Sequence, residues 1–280
     1  MKIIVTGSKG QLGSDIIAEL TKNGIEAIGA DLPEIDITDK EKVQKFIEES
    51  GADGVIHCAA FTNVDLAESE YGMCRKINYE GTENIAECCK NLDIRLMYIS
   101  TDYVFSGEGT EAFETDSPKS PCNNYGKTKL EGENAVKEYC SKYYIVRISW
   151  VFGENGKNFV KTMLRLSKEK SSLTVVNDQI GSPTYTKDLA VLLTNMIQTE
   201  KYGEYHATNE GYCSWAEFAA KIMEISGAET EIIPVTSEEY KTAAVRPKNS
   251  RLSKSALDKN GFSRLPHWES ALERFISNSN

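Results

Sequence analysis

The 280-residue sequence contains no apolar run near the ~20 residues that a membrane-spanning helix needs, so no membrane partner is expected. It has no Cys-x-x-Cys pair and no Cys/His cluster, which argues against a structural zinc site. Its seven cysteines are odd in number and two of them, Cys88 and Cys89, are adjacent; reduced thiols in a cytoplasmic protein are the simplest expectation. Basic residues are the minority, 32 Lys and Arg against 42 Asp and Glu, for a net charge of −10. That balance speaks against nucleic acid or an anionic membrane surface, yet a nucleotide ligand needs only a few local donors. The acidic residues form no ligand-spaced motif, so the sequence singles out no metal ligand and does not decide whether a divalent metal is bound. No repeat or low-complexity linker interrupts the chain, and a strand pattern begins at residue 2, so no signal peptide is expected. What remains is 40% hydrophobic and 26% charged, enough for one sizeable core or a core with a smaller lobe.

The first chemistry-bearing stretch is Lys2-Ile3-Ile4-Val5-Thr6-Gly7-Ser8-Lys9-Gly10-Gln11-Leu12-Gly13. The apolar run Ile3 to Val5 reads as a buried strand, and residues 12–23 read as a helix. Gly7, Gly10 and Gly13 therefore fall at a strand-to-helix turn, where glycine lets the backbone approach a pyrophosphate. The helix start adds unpaired N–H groups and a partial positive charge for that anion. A glycine trio alone is a weak signal; its place after the first strand strengthens it. The next strand, 25–30, ends at Asp31, whose carboxylate suits the hydroxyls of an adenosine ribose and repels a 2′-phosphate. A solvated loop residue is the plainer alternative for Asp31, and the spacing favours the ribose.

Strands and helices then alternate. A helix is expected over 40–50, opened by Thr38 or Asp39 as cap, then a short buried strand over 54–57 running into Cys58-Ala59-Ala60. A long helix over 71–91, a strand over 95–100, a helix over 125–140 and a strand over 144–149 follow. Such alternation implies right-handed crossovers and a parallel sheet: an α/β, doubly wound, Rossmann-type fold with ligands at the carboxyl ends of the strands. The dinucleotide-binding part is expected over 1–150, and a smaller lobe for substrate over 151–280. Part of 177–210 is expected to return to the first unit. In the second half, helices are expected over 158–170, 186–198 and 268–276. A short strand is expected over 173–176. Ser214-Trp215-Ala216-Glu217 has capping-box spacing for a helix to about 226.

Tyr125 and Lys129 are four apart on the 125–140 helix and so share a face. A nearby ammonium favours phenolate over phenol and eases proton exchange. Taken alone, Tyr-x-x-x-Lys is more often an ordinary helix face; the dinucleotide signature upstream gives it weight.

Together these segments resemble the dTDP-4-dehydrorhamnose reductase family of the extended short-chain dehydrogenase/reductase group. The resemblance runs nearly end to end. It is carried by Thr6 to Gly13, Asp36-Ile37-Thr38-Asp39, Ala59-Ala60-Phe61-Thr62-Asn63-Val64-Asp65, and Tyr98-Ile99-Ser100-Thr101-Asp102-Tyr103-Val104-Phe105. It continues in Asn124-Tyr125-Gly126-Lys127-Thr128-Lys129-Leu130, Ser149-Trp150-Val151-Phe152-Gly153, Asn158 to Leu164 and Asn177-Asp178-Gln179. His57-Cys58 departs from the Asn-Ala common in the family. The resemblance implies reduction of a nucleotide-sugar C4 ketone by NADH or NADPH, with Asp31 leaning toward NADH. It implies Tyr125 as proton donor, Lys129 on the nicotinamide ribose and Thr101 on the same substrate oxygen. Gly7, Gly10, Gln11, Leu12, Asp31, Asp36, Ile37, Cys58, Ala59 and Ala60 would line the cofactor. Asp102 and Trp150 would line the sugar, although Trp150 fits a core tryptophan equally well, and Asn78 fits support of the site or packing. Dehydratases of the group carry Thr-Asp-Glu where this chain has Thr101-Asp102-Tyr103, which disfavours dehydration. C4 epimerisation and a non-catalytic regulatory subunit stay open at this point, and a homodimer is common in the group.

Overall fold

The computed structural model describes residues 1–279. The first half runs β1 (Lys2–Thr6), α1 (Gln11–Lys22), β2 (Glu26–Ala30), α2 (Lys40–Ser50), β3 (Gly54–His57), α3 (Leu66–Ser69), α4 (Tyr71–Arg75), α5 (Gly81–Asn91), β4 (Arg95–Thr101), α6 (Asn124–Tyr139) and β5 (Tyr143–Ile148). The second half continues β6 (Val151–Phe152), α7 (Phe159–Leu166), β7 (Ser172–Val176), β8 (Ile180–Gly181), β9 (Thr184–Tyr185) and α8 (Thr186–Ile197). It ends with β10 (Gly203–His206), β11 (Cys213–Ser214), α9 (Trp215–Ser226), β12 (Glu231–Val235), α10 (Ser255–Lys259) and α11 (Trp268–Ser279).

Six strands form one parallel sheet in the order β10-β5-β4-β3-β1-β2. The order in which the chain adds strands reverses between β1 and β3, and a crevice opens there at the carboxyl ends. The inner strands β1, β3, β4 and β5 are buried on both faces, as parallel strands covered by helices must be; β3 is buried along its whole length. One cluster, with Ile3, Val5, Ile16, Met97 and Leu193, fills the face under α1 and α8. A second, with Ile4, Val43, Val55, Ile85 and Leu96, fills the face under α2 and α5. A third, with Phe152, Val160, Phe218, Leu272 and Phe275, belongs to the second half.

Local chemistry explains several boundaries. Asp39 caps α2 by accepting from the Lys42 N–H, and Gly51 closes it in the left-handed region at φ 60°. Asn123 caps α6 by accepting from the Gly126 N–H at 2.8 Å. Ser214 and Glu217 form the expected capping box of α9. No side chain caps the start of α1, where Gly10 precedes the helix.

The expected single helix over 71–91 is instead α4, a π-helical turn at Lys76–Glu80, and α5. Asn78 sits in that widened turn, 1% exposed, bonded to the Phe61 N–H (2.8 Å), the Phe61 carbonyl (3.1 Å) and the Thr128 hydroxyl (3.1 Å). One extra residue in a turn leaves hydrophobic periodicity nearly unchanged, so the sequence does not reveal it. The residues after β9 return to the sheet: α8 packs on α1, and β10 pairs in parallel with β5 as the sixth strand.

Candidate functional site

The crevice at the strand ends is a cavity of about 750 Å³. It starts at the β1–α1 turn. Gly7 is at φ 63°, and a Cβ there would come within 2.8 Å of the Ala59 nitrogen. A Cβ on Gly13 would lie 2.2 Å from the Gly7 carbonyl oxygen. Only glycine lets this loop pack so tightly against the loop after β3 and leaves backbone open to an anion. Gln11, Leu12, Asp31, Asp36 and Ile37 border this half of the cavity, with Cys58, Ala59 and Ala60 beside them. The shape and the bare, uncapped start of α1 fit a dinucleotide. Asp31 accepts from the Lys9 N–H at 3.0 Å and the Leu32 N–H at 2.9 Å. The Lys9 ammonium lies 3.0 Å from Glu34 and 2.9 Å from the Leu32 carbonyl.

His57, the departure noted in the sequence, is fully buried. Its ring contacts the hydroxyls of Thr6 (2.6 Å) and Thr82 (3.1 Å) and stacks on Tyr98. Burial drives its pKa down to about 3, so it is a neutral strut tying β1 to α5. Burial likewise pushes the Cys58 thiol up to about 12, which leaves it protonated at neutral pH.

The other half of the cavity holds Thr101, Asp102, Tyr125, Lys129 and Trp150. Thr101 ends β4; its hydroxyl donates to Asp102 Oδ1 at 3.0 Å and accepts from the Tyr103 N–H at 3.2 Å. Burial lifts the Asp102 carboxyl to about 6, partly offset by the Ser250 and Thr101 hydroxyls, and Oδ2 makes no well-formed hydrogen bond. Tyr125 stands edge-on to Tyr103, ring centres 5.5 Å apart, next to the Thr101 hydroxyl. The Lys129 ammonium donates to the Ile99 carbonyl at 2.7 Å and lies 4.0 Å above the Tyr98 ring centre. Burial lowers its pKa to about 7, with Glu133 acting in the opposite direction. Trp150, at φ 50°, stacks on Trp215 with ring centres 3.8 Å apart.

Every residue singled out in the sequence for the cofactor, the substrate or proton transfer thus borders one cavity. One electrostatic expectation is corrected. Burial and the Asp102 charge raise the Tyr125 pKa, while the Thr101 hydroxyl lowers it; the lysine is not what governs it here. The phenol is therefore held firmly protonated. Sequence reasoning missed the loop at Gly156 and Lys157, which also borders the cavity. Asn158 donates to Gln11 Oε1 at 2.9 Å and anchors that loop over the β1–α1 turn. Its only sequence signal was the glycine pair Gly153 and Gly156. Among the described residues no group of three or more His, Cys, Asp or Glu is arranged to hold a metal ion. No described helix is long and apolar enough to cross a membrane.

The switch-point crevice with its Thr101, Tyr125 and Lys129 cluster defines an extended short-chain dehydrogenase/reductase. The family model described as RmlD substrate binding domain matches residues 1–280, and the chain belongs to that family. It is 42% identical over 275 residues to spore coat polysaccharide biosynthesis protein SpsK of Bacillus subtilis, covering 98% of this chain and 96% of that one. It is 37% identical over 285 residues to dTDP-4-dehydrorhamnose reductase of Aggregatibacter actinomycetemcomitans, with 97% of each chain covered. A dTDP-4-dehydrorhamnose reductase of Bacillus anthracis, solved in complex with NADP, superimposes with a TM-score of 0.97 at 44% identity over 99% of each chain. UDP-glucose 4-epimerase of Thermus thermophilus, 20% identical with a TM-score of 0.84, shares the fold.

Proposed function

We propose that this chain reduces the C4 ketone of dTDP-4-dehydro-L-rhamnose to dTDP-L-rhamnose with hydride from NADH or NADPH. The observation that carries the reading is the gathering of Thr101, Tyr125 and Lys129 at one end of a cavity whose other end is the glycine turn. The dinucleotide, when bound, supplies the hydride. Gly7, Gly10, Gln11 and Leu12 receive its pyrophosphate at the start of α1, and Asp31 accepts from the adenosine ribose. Asp36, Ile37, Cys58, Ala59 and Ala60 shape the adenosine side.

The chain's own chemistry is proton transfer. As C4 takes up hydride, charge grows on its oxygen, and Tyr125 gives that oxygen its phenolic proton. Thr101 donates a hydrogen bond to the same oxygen and orients it. Lys129 donates to the nicotinamide ribose. Asp102 accepts from a sugar hydroxyl, and Trp150 covers the sugar ring. The tyrosinate left behind recovers its proton from solvent. Positioned proton transfer of this kind is worth about 10²–10⁴-fold in rate.

Tyr103 follows Asp102 where a dehydratase would carry its carboxylate base, and this favours simple reduction over elimination. The three acid–base residues standing together favour an enzyme over a regulatory subunit. Residues 1–150 form the nucleotide-binding unit and 151–280 the substrate lobe, with α8 and β10 on the first unit. The seven cysteines, all unpaired among the described residues, support a cytoplasmic location. A homodimer is part of the proposal, and light scattering of the purified protein reads it.

The experiment is a panel of nucleotide-linked 4-keto sugars assayed with NADH and NADPH. The expected result is turnover fastest with dTDP-4-dehydro-L-rhamnose. Tyr125→Phe is expected to lose at least ~10²-fold in kcat. Near-normal turnover in that variant sinks Tyr125 as the donor. NADH binding without turnover of any sugar sinks the reductase reading.

A further inference from the structure

Helix α6 carries a third residue on the face of Tyr125 and Lys129, one further turn along: Glu133. It is 0% exposed, as is Arg147 on β5, and neither borders the cavity. Glu133 Oε1 accepts from the Ser100 hydroxyl at 2.6 Å and from Arg147 Nε at 2.7 Å, and Oε2 accepts from the Arg147 terminal nitrogen at 2.7 Å. Arg147 also pairs with Glu204 on β10 and donates to the Thr115 carbonyl at 3.1 Å. Buried ion pairs of this kind are seldom the most stabilising choice, because desolvation offsets the attraction. Their retention calls for another reason.

The contacts supply one. Lys129 holds the Ile99 carbonyl and Glu133 holds the Ser100 hydroxyl. Helix α6 is therefore pinned to β4 at the two residues immediately before Thr101. Those pins set where Tyr125 stands relative to Thr101. The groups facing the Lys129 ammonium are Glu133 on α6, Tyr98 on β4, His57 and Cys58 at the end of β3, and Cys74 on α4. His57, Cys58, Cys74 and Tyr98 are neutral near pH 7. Glu133 is the one carboxylate in that set.

We propose that Glu133, clamped by Arg147 and Ser100, is a positioning residue that fixes the Tyr125–Lys129 face of α6 against β4 and keeps the buried Lys129 ammonium protonated for the cofactor ribose. The inference rests on the reductase reading for its kinetic consequence, but the charge state of Lys129 is measurable without turnover.

The test is Glu133→Gln. NMR titration of protein with isotope-labelled lysine, with Lys129→Met to assign the signal, reads the Lys129 midpoint in the cofactor-free protein. The midpoint is expected to fall by about one pH unit. The alkaline limb of kcat/KM should move down with it, so that activity at pH 8 drops about tenfold while activity at pH 6 drops much less. NADH affinity should acquire the same pH dependence. An unmoved Lys129 midpoint overturns the inference whatever the stability of the variant. A moved midpoint in a protein that turns over no sugar upholds the role of Glu133 and rejects the reductase reading instead.

Glu133→Gln strands part of the Arg147 charge and invites unfolding. The double variant Glu133→Gln with Arg147→Met removes the pair whole, which usually restores stability. Its Lys129 midpoint is still expected to be low, because Glu133 is the charge that bears on Lys129. A double variant with the unmutated midpoint overturns the inference.

Discussion

At Asp31 the sequence and the structure weigh the cofactor differently. A carboxylate at the end of β2 suits a ribose diol and argues for NADH. The structure adds that both Asp31 oxygens already accept from backbone N–H groups, those of Lys9 and Leu32, and that the Lys9 ammonium sits on the adjacent Leu32 carbonyl, paired with exposed Glu34. Exposed pairs of this kind are weak and exchange readily. Lys9 is thus free to turn to a 2′-phosphate. Lys9→Met should lower kcat/KM for NADPH about tenfold and leave NADH nearly unchanged; equal losses with both cofactors refute a phosphate role. Lys129 makes a second prediction at this scale. Its folded pKa of about 7 lies below the ordinary 10.5. Between those values the unfolded chain binds more protons than the folded one, so this residue makes stability rise with pH from about 7 to 10.5. Lys129→Met should therefore gain several degrees in Tm at pH 7 and converge with the unmutated protein toward pH 10. A variant less stable at pH 7 contradicts the burial cost. The site residues were legible because each follows a strand end or shares a helix face. The positive φ of Trp150 and the burial that holds Tyr125 protonated were not, since both depend on what the rest of the chain packs around them.

Helix α6 is the element on which the reaction geometry hangs, and its glycines let it sit close. A Cβ on Gly132 would lie 2.5 Å from the Tyr98 hydroxyl and 2.6 Å from the Asn78 carbonyl. Gly132→Ala should push α6 off β4, costing about 1–3 kcal/mol of stability and, through the misplaced phenol, lowering kcat more than it raises KM. An unchanged kcat would mean that α6 tolerates the displacement. The periodic elements were readable: α2 and β3 fall where their patterns put them, because caps and apolar spacing are local. The break of 71–91 into α4, a π turn and α5 was not. Its cause is Asn78 reaching Phe61 and Thr128, partners far away in sequence. The two-residue strands β6, β8, β9 and β11 were equally hidden, as each is too short to carry a period.

Across the whole molecule, the parallel sheet and the crevice at its switch point follow from alternation alone, whereas β10, which joins that sheet at its edge, carries no signal of its own in the sequence. The path of 244–253 was not foreseen. It crosses back over the first half, with Arg246 paired to Asp65 at 2.6 Å and Leu252 bridged to Phe113. Arg246→Ala should therefore raise the KM for the sugar nucleotide several-fold by loosening this strap near Tyr103 and Asp102, with cofactor affinity unchanged; an equal rise in both constants would point to general unfolding instead.

The sixth strand also governs how the chain comes into being. Because β10 is made some sixty residues after β5, a ribosome-bound chain that has finished β5 exposes a bare row of backbone donors and acceptors along that edge, open to any extended neighbour. Nascent chains halted near residue 200 should accordingly aggregate or recruit holdases, whereas those long enough for Gly203–His206 to have left the ribosome should not, and a fragment ending after β5 should stay insoluble until a peptide carrying β10 is supplied.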